Sequence, residues 1–377
     1  MRVLYLGFNR SYTNPSAEVN IRIIGQISEL DYFGPGFTEQ SVLLKGVDEW
    51  VMDKGPYDFL MVDSYVFEAD NILNRRKPFI GDYLRFDPKD YYEHSINYMN
   101  FFLEYTGRKL FLANFDTFGI SEKLIERVVT SNAYVLEGGN SVVRTKEVIE
   151  EEYGAPYPPG NDNWYNYVST YRHQVIAVPH SISSTEFDFS PLSDREKLYC
   201  VIGAPYGERK EAMKLMTFKQ RNTDFGNRLK AWLRAKYMKA MTEIQLLRLR
   251  SDYMSIISDT KLCFCSGGPW LYPVRKYFEI PARGAVAIGW SCSGFKALGF
   301  EDGKNYIVAN KNEDLKKAIA RYNDSEFQVI AENGRSMIWR LHSDWARSKQ
   351  LEQSLNLILE GRFKGSYWDE GQYKHYD

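Results

Sequence analysis

Short apolar segments that alternate with longer amphipathic stretches constrain the fold of this chain more than any other feature. Nine such segments occur along the sequence: VLYLGF, YDFLMVDS, RKLFLANFD, NAYVLE, QVIAVPH, KLYCVIG, KLCFCSGG, AVAIGW and NYIVAN. Their near-continuous apolar character is typical of strands buried on both faces of a parallel sheet. Stretches between them, such as residues 121–130 and 145–152, have helical spacing. The pattern predicts an α/β fold in which helices cover both faces of parallel sheets.

The length of 377 residues suits two domains of this kind. Segment 181–196, SISSTEFDFSPLSDRE, loses the apolar pattern and is rich in Ser and Asp, as expected of a connector. We therefore predict a first α/β domain at 1–180, a linker at 181–196, a second α/β domain at 197–335 and a helix with a tail at 336–377. Apolar residues near the helical period predict that this helix packs back toward the first domain. They are Ile338, Leu341, Trp345, Leu351, Leu355 and Ile358.

Charge and cysteine content exclude several classes of protein. Forty-eight Lys and Arg face 49 Asp and Glu, so the net charge is −1 and no overall field favours nucleic acid or an anionic membrane. No stretch approaches the roughly 18 apolar residues of a membrane helix. The start, MRVLYLGFN, lacks the features of a secretory signal, which predicts a cytoplasmic location. The four cysteines lie in or beside apolar segments, which predicts free thiols rather than disulfides.

The turn after the segment KLCFC has the features of an anion site. Ser266-Gly267-Gly268 form a turn with free backbone N–H groups, and Pro273 suits the first turn of a following helix. Such a helix start offers unpaired donors and partial positive charge, so a phosphate or diphosphate is expected above residues 266–273. Arg275 and Glu279 are four residues apart, which predicts one shared helix face, and an ordinary surface ion pair is the simplest interpretation beside a role in the site.

A second basic turn follows the segment KLYCVIG. Gly203 and Gly207 allow the backbone to bend tightly, and Arg209 and Lys210 follow them directly. This turn comes at the carboxyl end of a predicted strand, where open α/β sheets bind ligands. Phosphate binding and an ordinary solvated helix start both fit the turn by itself.

Two stretches resemble a known family. RKYFEIPARG at 275–284 is an Arg/Lys-aromatic-Phe-Glu helix followed by a small-residue-Gly turn, and GFEDGKNY at 299–306 is similar to the family's Glu-x-Gly-x-x turn. In these stretches the chain resembles the GT-B glycosyltransferases, particularly the branch of spore-maturation and group 1 glycosyltransferases. The resemblance implies two Rossmann-like domains that face each other across a cleft, with a C-terminal helix crossing back. The first domain then takes the acceptor and the second takes the nucleotide-sugar donor.

The resemblance also implies which residues bind the donor. The glutamate that matches Glu279 binds the ribose hydroxyls. Basic residues of the first turn contact the diphosphate, which assigns this role to Arg209, with Arg275 or Lys276 as alternates. The other donor-site candidates lie in the two turns: Gly203, Tyr206, Gly267 and Gly268. The implied reaction moves a sugar from a nucleoside diphosphate, such as UDP, to a hydroxyl of a carbohydrate or another acceptor.

The acceptor side departs from the family pattern, because the Gly-rich loop after the first strand is reduced to GFNR at residues 7–10. If the reaction inverts the anomeric centre, a base from the first domain must deprotonate the acceptor hydroxyl. Asp116, after the segment FLANF, is the first candidate for a catalytic residue, and His180 is another. Asp63 and Glu137 also stand at strand ends.

The chain contains no Asp-x-Asp sequence, the usual way in which metal-dependent sugar transferases hold a divalent ion on the diphosphate. We therefore expect a metal-independent reaction and no cofactor beyond the nucleotide-sugar co-substrate. An oxidoreductase is disfavoured, because Gly34-Pro35-Gly36 is followed by Glu39 where a dinucleotide-binding motif requires glycine. Two alternatives stay open, a two-domain nucleotide- or sugar-binding module without turnover and an epimerase of the same fold. The base, the sugar and the acceptor are not specified by the residues.

Overall fold

The computed structural model describes residues 1–9, 15–68, 88–113, 122–138, 169–203, 207–216, 243–267 and 273–377. Its first half contains a six-stranded parallel sheet in the order β2-β1-β3-β4-β5-β6. The strands are β1 (Arg2–Leu6), β2 (Glu29–Phe33), β3 (Phe59–Asp63), β4 (Arg108–Leu112), β5 (Ala133–Glu137) and β6 (Val175–Ala177). Strand β3 is buried at every residue, as the continuous apolar pattern predicts for a central strand.

Helices cover this first sheet. They are α1 (Pro15–Ile27), α2 (Gln40–Leu43), α3 (Val47–Lys54), α4 (Pro88–Glu104) and α5 (Glu122–Thr130). Helix α4 packs on the segment that follows β1. The Tyr91 ring stacks on the Phe8 ring there, with ring centroids 4.2 Å apart. The predicted helix at 145–152 lies outside the described residues.

A separate four-stranded parallel sheet, in the order β10-β9-β8-β7, forms the second half. Its strands are β7 (Lys197–Val201), β8 (Thr260–Cys265), β9 (Val286–Gly289) and β10 (Ile307–Val308). Its helices are α6 (Gly207–Ala212), α7 (Glu243–Ser258), α8 (Lys276–Ala282) and α9 (Asn312–Ala320). Two parallel sheets with helices confirm the predicted α/β fold class.

Two long helices complete the second half and return to the first. Helix α10 (Asp324–His342) packs on α8 and β9, and α11 (Asp344–Leu359) packs on α1. The break between them comes at Ser343, whose extended backbone ends α10 and whose side-chain Oγ accepts a hydrogen bond from the Ala346 N–H at 3.2 Å. Leu351 and Leu355 join the core under the first sheet. A C-terminal helix, α11, crosses back as expected, but the residues predicted as one helix from 336 lie in two helices that meet at Ser343. None of the described helices is long and apolar enough to cross a membrane.

A C-terminal hairpin, β11 (Ser366–Asp369) and β12 (Gln372–His375), was not foreseen from the sequence. Its strands are short, and the sequence around them reads only as polar and aromatic. Trp368 Nε1 donates to the carbonyl of Ala177 at 3.2 Å, and the Gly371 N–H donates to the carbonyl of Ala297 at 2.8 Å. The hairpin therefore contacts both halves of the chain.

The predicted linker runs beside the break between α10 and α11. The Ile182 N–H donates to His342 O at 2.9 Å, and the Asp344 N–H donates to Ile182 O at 2.8 Å. The Asp344 carboxylate also accepts from the Ser184 N–H and from Arg22 Nη2, both at 3.1 Å. Arg22 belongs to α1, so a single buried carboxylate connects the linker to the first half.

Candidate functional site

Two cationic side chains converge on the glycine that follows β7. Gly203 has a φ of 110°, a conformation that other residues rarely adopt. A Cβ placed there would lie 2.6 Å from Lys276 Nζ and 3.0 Å from Arg209 Nη1. These two residues belong to α8 and α6, which follow different strands of the second sheet. The structure thus brings together Gly203, Arg209 and Lys276 at the carboxyl edge of the sheet, where α/β folds bind ligands.

The electrostatics of this cluster favour an anion. Lys276 Nζ donates to the carbonyl of Ile202, and its pKa is lowered to about 8, first by burial and then by the charge of Arg209. Arg209 is itself 7% exposed. Two positive charges that repel each other in a poorly solvated site are relieved by a bound anion, which would also raise the pKa of Lys276.

Glu279 lies in α8, three residues after Lys276, and is buried. Its Oε1 accepts from Arg275 Nε at 2.5 Å, and its Oε2 accepts from the Tyr253 hydroxyl at 2.8 Å. A carboxylate has about four lone-pair sites, so about two remain for a ligand. Glu279 is therefore a fixed acceptor beside the cationic cluster.

Arg275 forms an ion pair with Glu279 that is buried, which rules out the simpler interpretation of a surface pair. The two side chains are only 12% and 10% exposed. Arg275 Nη2 also donates to Glu186 Oε2 at 2.7 Å, and Nη1 donates to Ser181 O at 3.2 Å. Burial lowers the pKa of Arg275, but Glu279 and Glu186 outweigh it and hold the pKa above its ordinary value. All three donor groups of the guanidinium are engaged within the protein.

His180 reaches this site from the first half of the chain. It follows β6, is buried, and its ring centroid lies 6.1 Å from that of Phe278 in α8. Burial, then Arg275 and Arg347, lower its pKa well below the ordinary value. The imidazole is therefore neutral at neutral pH, the form in which it accepts a proton.

Of the other predicted site residues, the structure describes some and not others. Gly267 is described and follows the buried Ser266 at the end of β8. Asp116, Tyr206 and Gly268 lie outside the described residues. Within the described part of the chain, no group of three or more His, Cys, Asp or Glu could hold a metal ion.

Sequence reasoning missed two side chains of the site, Tyr253 and Glu186. Tyr253 lies in α7, and Glu186 ends a short 3-10 helix in the linker. No motif marks either residue, because their roles depend on contacts with a segment distant in sequence. The only signal was a general one, that a buried Arg275 and a buried Glu279 need further partners.

A second unforeseen feature is a pair of buried hydroxyls at the carboxyl ends of the sheets. Among the described residues, Ser266 Oγ and Ser181 Oγ have no hydrogen-bond partner. Ser266 follows β8 in the second sheet, and Ser181 follows His180 after β6 in the first. Buried hydroxyls are normally hydrogen-bonded, so these two are exceptions at the carboxyl ends of the two sheets.

A comparison with protein families indicates which kind of protein contains this site. Residues 219–353 match the model of a family described as glycosyl transferase-like. Residues 219–353 are a glycosyl transferase-like domain. The resemblance predicted from residues 275–306 is confirmed, since both stretches lie inside the matched range.

Comparison with solved structures concerns the fold. Sucrose-phosphate synthase from Thermosynechococcus elongatus matches 96% of this chain and 100% of its own, with 12% identity and a TM-score of 0.51. HepE from Anabaena, solved in complex with UDP and glucose, matches 94% of this chain and 99% of its own, with 10% identity and a TM-score of 0.47. No curated protein matches the chain. The family match therefore concerns residues 219–353, the solved structures concern the fold, and neither specifies an acceptor.

Proposed function

We propose that the enzyme transfers a sugar from a nucleoside diphosphate sugar to an acceptor hydroxyl without a divalent metal. The observation that carries this proposal is the convergence of Arg209 and Lys276 on Gly203. A departing nucleoside diphosphate develops negative charge, and preorganised cations in a poorly solvated site stabilise it strongly. Two protein cations can supply the charge that a metal ion supplies in other transferases.

Arg209 and Lys276 are the residues that we assign to the diphosphate. Arg275, the alternate suggested by the family resemblance, already has Glu186 and Glu279 as partners. A ligand phosphate would have to compete with two buried carboxylates for its guanidinium. We therefore give Arg275 no direct contact with the donor.

Glu279 and His180 take the two remaining roles. A ribose diol needs a fixed acceptor, and the Glu279 carboxylate is held rigidly beside the cationic cluster. Among the described residues His180 is the candidate for the base, because it follows β6 at the carboxyl edge of the first sheet and its ring lies beside Phe278 of α8. It would accept the proton of the acceptor hydroxyl if the reaction inverts the anomeric centre. Asp116 remains the alternative base.

The location that we propose for the reaction is the cytoplasm. The four cysteines are free and buried, and the Sγ atoms of Cys200 and Cys263 lie 3.4 Å apart without a covalent bond. Unlinked neighbouring thiols fit a reducing compartment.

The metal question is tested by turnover in excess chelator. We expect release of nucleoside diphosphate from a panel of nucleotide sugars at the same rate in chelator, in magnesium and in manganese. Free sugar or glycosylated acceptor must appear in step with the diphosphate, since a binding module would release neither. Activity that disappears in chelator and returns with metal would show that carboxylates and a metal ion, and not Arg209 and Lys276, neutralise the donor.

The lowered pKa of Lys276 predicts how donor binding depends on pH. The free protein loses the Lys276 proton as the pH rises through about 8, whereas a bound diphosphate favours the protonated amine. UDP affinity should therefore be constant near pH 7 and fall above pH 8, approaching about tenfold for each pH unit. Isothermal titration calorimetry between pH 7 and 10 measures it, a range in which the terminal phosphate, with a pKa of about 6, stays ionised.

Lys276→Arg is the control for this profile, because a guanidinium stays charged throughout the range. Its UDP affinity should not fall between pH 8 and 10. A UDP affinity that does not change with pH in the unmodified enzyme, or that falls equally in both proteins, would show that Lys276 does not bind the donor.

A further inference from the structure

The hydrogen bonds around Glu279 point to two residues that nothing in the family pattern marks. We propose that Tyr253 and Glu186 are positioning residues of the donor site, which orient Glu279 so that its remaining lone pairs receive the two ribose hydroxyls. The inference rests on the proposed function, which gives Glu279 the ribose. Neither residue touches the donor in this proposal.

Tyr253 fixes one side of the carboxylate. Its hydroxyl donates to Glu279 Oε2 at 2.8 Å from helix α7, which packs on β8. Burial and the charge of Glu279 raise the pKa of Tyr253 well above its ordinary value, so the hydroxyl keeps its proton and remains a donor. Together with Arg275 on Oε1, it leaves the carboxylate a single orientation.

Glu186 acts on the other side, through Arg275. Its Oε2 accepts from Arg275 Nη2 at 2.7 Å and from the Ser183 N–H at 3.1 Å. The second bond belongs to a capping box, so the linker backbone holds this carboxylate in place. Glu186 thereby holds Nη2 of the Arg275 guanidinium, while Nε donates to Glu279.

Removing the Glu186 side chain should change the hydrogen bonding between Arg275 and Glu279. An arginine without its second partner is free to form a two-pronged contact with the carboxylate that remains. That contact would occupy a lone pair of Glu279 that the proposal reserves for a ribose hydroxyl. The expected consequence is weaker binding of the ribose, with the diphosphate contacts of Arg209 and Lys276 unaffected.

A pair of nucleotides tests this inference, UDP and 2′,3′-dideoxy-UDP, which lacks both ribose hydroxyls. We expect Glu186→Ala and Tyr253→Phe each to weaken UDP about 10- to 20-fold, the lower end of the range for one lost hydrogen bond to a charged group, since neither residue touches the donor. Neither variant should change the affinity for the dideoxy nucleotide. Glu186→Gln keeps an oxygen acceptor for Arg275 and Ser183 and should recover most of the UDP affinity.

Two control variants and thermal unfolding accompany the calorimetry. Tyr98→Phe removes a buried hydroxyl from the first half, and Glu352→Ala removes an exposed carboxylate from α11. Both should bind UDP like the unmodified enzyme. Tyr253→Phe deletes one oxygen atom and keeps the ring, so it tests the inference even if Glu186→Ala does not fold.

The outcomes separate this inference from the proposed function. An equal loss for both nucleotides would indicate a structural role, and unchanged UDP binding would remove the positioning role; either result overturns the inference. If Glu279→Gln itself leaves UDP affinity unchanged, or the unmodified enzyme binds both nucleotides alike, the ribose assignment fails and the inference fails with it. If Glu279→Gln weakens UDP but Tyr253→Phe and Glu186→Ala do not, only the inference fails.

Discussion

Replacing Arg209 with alanine should weaken UDP binding about 10- to 150-fold in a protein that remains folded. The range corresponds to the roughly 1.5 to 3 kcal/mol of a charge-assisted contact with phosphate. Arg209 is buried beside Gly203 and shares the cluster with Lys276, so water replaces its charge poorly. The loss should be greatest at low ionic strength, because salt screens the contact. Calorimetry with UDP measures the affinity, and circular dichroism checks the fold.

Lys210→Ala is the matched control for this change. Lys210 is the next residue of α6, carries the same charge, and is exposed to solvent. Its removal should alter UDP affinity less than twofold, because exposed charges contribute little. Equal losses in the two variants would mean that a general positive field, rather than a contact at Gly203, attracts the nucleotide. An unchanged affinity in folded Arg209→Ala would remove Arg209 from the donor site.

Glu279→Gln should weaken UDP by about 1 to 3 kcal/mol, or about 5- to 150-fold, since a neutral amide replaces the charged acceptor of the ribose hydroxyls. The amide also replaces one of the two oxygens with an NH2 group, which then faces either Arg275 Nε or the Tyr253 hydroxyl, each of which donates to this side chain. We therefore expect a lower thermal unfolding midpoint as well. Calorimetry with UDP and thermal unfolding are measured on the same preparation.

The control for Glu279→Gln is Glu313→Gln, the same chemical change at an exposed position in the first turn of α9. It should leave UDP affinity and the unfolding midpoint close to those of the unmodified enzyme. A folded Glu279→Gln protein with undiminished UDP affinity would contradict the ribose assignment. The carboxylate would then serve only to neutralise Arg275.

The sequence predicted most of the fold because its strongest signal is local. Nine apolar segments correspond to nine of the ten strands in the two sheets, since a strand buried on both faces must be apolar along its length. Strand β2, with the sequence ELDYF, was missed because it lies at the edge of the sheet and is mostly half-buried. The terminal hairpin was missed for a related reason, as its short strands combine polar and aromatic residues.

For this protein the sequence by itself determined the fold class and the family resemblance. It also identified the glycines and basic residues in the two turns that follow KLYCVIG and KLCFC. Only the tertiary structure decided that Lys276 joins Arg209, that Arg275 is a buried partner of Glu186 and Glu279, and that Tyr253 orients Glu279. Periodicity reports which residues share a face of one helix or strand, and that information extends over a few turns. Helices α6, α7 and α8 and the linker are distant in sequence. They contact one another because the parallel strands of the second sheet place their carboxyl ends at the same edge. The charge of each side chain could be read from the sequence, but its partner was set by packing.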